Sequence, residues 1–196
     1  MNSDCLEKLF QKKTISFAAW GSTIDDLSIF TKENIKRNFN KKYIFVSLNP
    51  SGPIDKQYAN FHNSNQKHND IKLMLAFSNT PLEWMLMLDM SSIMDPNSHN
   101  IYVSNDDIVS LLNVIHNCYD SAPTIVVANK KAYKKLKNVI EQKQMINLEI
   151  IYIFGYSGSA NGAVAKYYRD HCLGLENETI NNKYVKVVHH QLGLKI

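Results

Sequence analysis

The chain has 196 residues, a formal net charge of +4, 44% apolar residues and 20% charged residues. That length suits one sizeable α/β core rather than two, and the balance is that of an ordinary globule, not a low-complexity chain. No apolar run reaches the length of a membrane span, and the mild positive charge permits an anionic partner without demanding one.

The opening stretch, MNSDCLEKLFQKK, carries two acids and no apolar h-region, so no secretory signal is expected. Cys5, Cys118 and Cys172 are far apart, odd in number and without metal-ligand spacing, so a disulfide framework is not expected. A cytoplasmic monomer, with no membrane contact and no cofactor, is the expectation.

Ser3 can cap a helix over residues 4–12, with Leu6, Leu9 and Phe10 on one face. After the break at Trp20-Gly21-Ser22, Thr23 reads as the cap of a helix over residues 24–39, with Asp25 and Asp26 at its positive end. Tyr43-Ile44-Phe45-Val46 has the continuous apolar character of a strand buried on both faces. It breaks at Asn49-Pro50-Ser51-Gly52-Pro53, where two prolines and a glycine stop any strand. A long polar loop follows through Gln66 and carries Tyr58, Phe61 and His62.

A helix is expected over residues 71–77, then a buried strand in Trp84-Met85-Leu86-Met87-Leu88 that ends at Asp89. Ser104-Asn105-Asp106-Asp107 caps a helix that runs to about Cys118. Thr124-Ile125-Val126-Val127-Ala128 is the clearest strand. A basic helix over residues 130–142 turns Ala132, Leu136, Val139 and Ile140 inward. A strand over residues 148–154 runs into the stretch from Gly155 to Gly162, and a helix follows over residues 163–171. Residues 184–188 read as a last short strand, followed by His189-His190-Gln191-Leu192.

Strands alternating with helices imply one three-layer α/β/α domain over residues 1–196. Its sheet is central, mainly parallel and four-stranded, with a short extra C-terminal strand. In a parallel sheet, ligands gather at the carboxyl ends of the strands. Three such ends carry polar or glycine-rich residues: Asn49 to Gly52, Asp89, and Gly155 to Gly162. Each also has a plainer reading, as a turn, a buried carboxylate and a helix entry respectively. The lysine cluster at Lys130, Lys131, Lys134, Lys135 and Lys137 reads first as a solvated helix face. His99, His189 and His190 have no spacing that argues for metal, and none is expected.

These strand ends resemble the uracil-DNA glycosylase superfamily over roughly residues 43–175. Asn49-Pro50 with Ser51-Gly52-Pro53 resembles that family's first motif, and Phe61 holds the place of its base-stacking phenylalanine. Met87-Leu88-Asp89-Met90 and Asn97-Ser98-His99 resemble its second-strand pattern. Tyr156-Ser157-Gly158-Ser159 holds the place of the loop that pinches the DNA backbone.

The resemblance implies a DNA partner and hydrolysis of a glycosidic bond. Asn49 would orient water, Ser51, Phe61 and Asp89 would hold the extruded base, and Tyr156, Ser157, Gly158 and Ser159 would hold phosphates. Two departures stand out. Tyr156 occupies the place of a catalytic histidine, and Asp89 that of the base-reading asparagine. An ionised carboxylate only accepts hydrogen bonds, so Asp89 suits an exocyclic amine of the cytosine type better than a uracil carbonyl. A catalytically inactive binding module of the same fold is the alternative. No Gly-x-Ser-x-Gly elbow and no phosphate-binding GxxxxGK[ST] loop points to another enzyme class.

Overall fold

A computed structural model describes residues 15–18, 32–49, 71–91, 93, 95, 97, 99–143 and 147–194. The strands are β1 (Ile15–Ala18), β2 (Tyr43–Ser47), β3 (Met85–Asp89), β4 (Thr124–Val127) and β5 (Ile150–Tyr152). The helices are α1 (Lys32–Asn38), α2 (Ile71–Phe77), α3 (Asn105–Cys118), α4 (Lys130–Gln142), α5 (Asn161–Asp170) and α6 (Ile180–Gln191). A 3-10 turn over Gly158–Ala160 leads into α5.

The strands form one sheet in the order β1-β3-β2-β4-β5. β3, β2, β4 and β5 pair in parallel, as the alternation of strands and helices implies. β1, which the sequence did not disclose, adds an antiparallel edge to β3, with Ile15 opposite Leu88 and Ala18 opposite Met85.

The period of two along each strand divides the core between the two faces. Ile44, Val46, Leu86, Leu88, Ile125 and Val127 pack under α3 and α4, against Leu112, Ile115, Leu136 and Val139. Phe45, Met85, Met87 and Val126 pack on the other side against Leu73, Phe77, Val164, Tyr168, Tyr184 and Val188 of α2, α5 and α6. The three-layer α/β/α arrangement therefore stands.

One expectation is corrected. Residues 184–188 are not a strand; they lie in α6. Thr179 caps that helix by accepting from the Asn182 N–H, and Tyr184, Val187 and Val188 recur at helical spacing on its buried side. Cys118 is disulfide-bonded, while Cys172 is free and exposed. The expected helix over residues 4–12, the Thr23 cap and the loop from Pro50 to Asp70 lie outside the described residues. No helix among the described residues is long and apolar enough to cross a membrane.

Candidate functional site at the carboxyl edge of the sheet

The chain leaves β2 for β3 on one side, then crosses over to β4 on the other, so β2 and β4 flank the point where the winding direction reverses. In open α/β sheets the crevice at such a point is the usual ligand position. Asn49 sits just past the end of β2 at this point. Its Nδ2 donates to the Asp95 carbonyl at 2.8 Å and to the Ile93 carbonyl at 3.3 Å. An amide nitrogen has two protons, and these two carbonyls hold the Asn49 side chain in place beside the strand end.

Ser47 and Asp89 end their strands opposite each other in the parallel ladder. The sheet's alternation points both toward the side covered by α2 and α5. The Asp89 residue keeps some surface, yet its Oδ1 is closed off and has no hydrogen-bond partner among the described residues. Burial pushes its carboxyl up to about 7, against the opposing effect of the Ser47 hydroxyl that donates to it. Near neutral pH Asp89 is therefore divided between an acid that can donate and accept and a carboxylate that only accepts.

The loop after β5 is fixed from two directions. A Cβ at Gly155 would stand 3.2 Å from the Ala128 carbonyl oxygen, so glycine permits the close approach of this loop to the end of β4. Lys72, in the first turn of α2 and only 3% exposed, donates from Nζ to the Tyr156 carbonyl at 3.1 Å and to Asn161 Oδ1 at 2.7 Å. Burial lowers the pKa of this ammonium group. Ser157 and Ser159 are exposed, with their hydroxyl oxygens 2.8 Å apart, and Gly158 is exposed between them. The Tyr156 side chain packs against the apolar cluster beneath α2, α5 and α6.

Of the expected site residues, Asn49, Asp89 and the 156–159 loop share the carboxyl edge of the sheet. Ser51 and Phe61 lie outside the described residues, as does Ser98. Asn97 and His99 are exposed members of local turns: the Asn97 N–H donates to Asp95 Oδ1 at 2.7 Å, and the His99 N–H to Asn97 Oδ1 at 3.1 Å. Lys72 and Ser47 were not foreseen. Lys72 sits in a helix start like any polar residue, and its partners are 84 and 89 positions away in sequence. Among the described residues no group of three or more His, Cys, Asp or Glu is placed to hold a metal ion.

No family model matches the chain, and neither a curated protein nor a solved structure does.

Proposed function

We propose that this chain is a DNA glycosylase-like protein that takes a nucleobase out of the stack and hydrolyses its glycosidic bond. The observation that carries the proposal is the position of Asn49, just past the end of β2 at the winding reversal and held there by the Ile93 and Asp95 carbonyls. In the proposed step a water oriented at Asn49 bonds through its oxygen to the sugar C1′. The C1′–N bond breaks and its electron pair leaves with the base. One proton of the water ends on the base, giving a free base and an abasic sugar. Placing the water in line supplies orientation, and extrusion of the base costs a few kcal/mol.

Asp89 is the proposed reader of the base edge. As a neutral acid it matches an edge with adjacent donor and acceptor; as a carboxylate it takes an exocyclic amine. Ser157 and Ser159, at the entry to α5 and braced by Lys72, are the proposed phosphate contacts. Uracil and a cytosine-type base are both candidates.

One observation favours a second reading, a binding module without catalysis: Asp89 Oδ1 is shut off from the surface. Base release separates the two. Oligonucleotides carrying uracil, cytosine, hypoxanthine or a modified cytosine are incubated with the protein, and abasic sites are read as alkali-labile breaks. The glycosylase predicts breaks on at least one substrate, reduced about 100-fold or more in Asn49→Ala. Breaks on none of them leave the binding module.

A further inference from the structure

Tyr102 is the most exposed large apolar side chain among the described residues, at 75%. Its neighbours Ile101 and Val103 are 2% and 1% exposed. The chain thus alternates in, out and in, and two buried anchors hold the ring outward. The backbone on both sides is clamped to α4: Lys131 Nζ donates to the Ile101 carbonyl at 2.7 Å, and Lys135 Nζ to the Val103 carbonyl at 2.5 Å. The Lys135 ammonium also lies 5.1 Å from the Tyr102 ring centroid, covering one face of the ring and leaving the other.

The charge around the ring is lopsided. α4 carries Lys130, Lys131, Lys134, Lys135 and Lys137, and its one acid, Glu141, pairs with Lys137 at 3.9 Å. Asp107 also faces Lys135, but its carboxylate is engaged by the Ser104 N–H and hydroxyl in the cap of α3. α4 starts at the carboxyl end of β4, so Lys130 and Lys131, in its first turn, stand near the edge of the sheet that carries Asn49 and Asp89.

We propose that Tyr102 and the lysines of α4 form a binding site for a single-stranded nucleic-acid segment. One base stacks on the uncovered face of Tyr102, and the adjoining phosphates lie along α4. A flat ring held rigidly outward suits a base, every one of which has a π-face, and the lysines suit the phosphate charge. The inference takes its choice of partner from the proposed function but needs none of the glycosidic chemistry.

The test is a titration of a fluorescent, unmodified oligothymidylate with the full chain at 50 and 200 mM salt, alongside anionic phospholipid vesicles. The oligonucleotide is expected to bind and to weaken as salt rises. Tyr102→Ala should weaken it about 5- to 100-fold, and Tyr102→Phe should retain it. Lys134→Gln combined with Lys135→Gln should flatten the slope of log affinity against log salt by about 1.4. Tyr102 is exposed, so both of its variants should melt as the parent does. Oligonucleotide binding unaffected by Tyr102→Ala overturns the inference, as does no binding at low salt. Tyr102-dependent binding to vesicles but not to the oligonucleotide overturns it in favour of a membrane surface. Binding through Tyr102 without release of any base leaves this inference standing while the glycosylase falls.

Discussion

Ser47 and Asp89 face each other across the β2–β3 ladder, and the Ser47 hydroxyl is the polar partner of a carboxyl group otherwise enclosed by the fold. One hydroxyl does not replace the water a carboxylate loses on burial, so the folded protein favours the protonated form.

The pH dependence of stability follows from that relationship. An ordinary unfolded Asp titrates near 3.9, whereas Asp89 in the folded chain is pushed up to about 7. Between those values the folded state binds more protons than the unfolded one, so stability falls as pH rises from about 4 to 7 and is flat above. Each unit of separation is worth about 1.4 kcal/mol, so the full penalty is a few kcal/mol at most. Asp89→Asn should remove the slope and make the protein more stable than the parent at pH 8. Urea titrations of both proteins at pH 5 and pH 8 check this. A parent no less stable at pH 8 than at pH 5 would falsify the assignment.

Removing the buried ammonium of Lys72 should loosen the loop it braces. Lys72→Met deprives the Tyr156 carbonyl and Asn161 Oδ1 of their donor and should cost about 1–3 kcal/mol. Amide exchange should speed up through residues 155–161 more than in β4 or α4. Uniform loss of protection along the whole chain would mean that Lys72 serves general packing instead.

Tyr119 offers a stabilising change. Its ring packs against Phe39 at 5.3 Å between centroids, yet its buried hydroxyl has no partner among the described residues. Burial also pushes its pKa up. Tyr119→Phe keeps the ring and removes the stranded hydroxyl, so it should raise stability by about 1 kcal/mol. The readout is the urea midpoint at unchanged m-value, and a lower midpoint would point to an ordered water or other partner at that oxygen.

What the sequence made legible tracks how local the signal was. β4 and α4 were readable from a short apolar run and a four-residue apolar stripe, because burial follows directly from those patterns. Tyr184-Val185-Lys186-Val187-Val188 misled, since its valines suit a strand. The Thr179 cap and the packing of Tyr184, Val187 and Val188 against the sheet overrode that preference. Asn49 and Asp89 were visible as polar residues where apolar runs stop. The state of Asp89 was not, because it depends on what encloses the carboxyl. Lys72 and the Tyr102 platform were hidden for a related reason: each is defined by bonds to backbone carbonyls distant in the chain.

The fastening of α6 bears on how the protein is made. Tyr184 donates its hydroxyl proton to the Phe154 carbonyl, Gln191 accepts from the Phe154 N–H, and His189 Nε2 bonds the Ala76 carbonyl. A ribosome delivers every strand of the sheet before it delivers this helix. Until α6 emerges, the apolar cluster that holds Phe77 and Ile153 lacks Tyr184, Val187 and Val188, and the nascent chain carries that face uncovered. Packing of this side of the sheet is thereby deferred until α6 has been made.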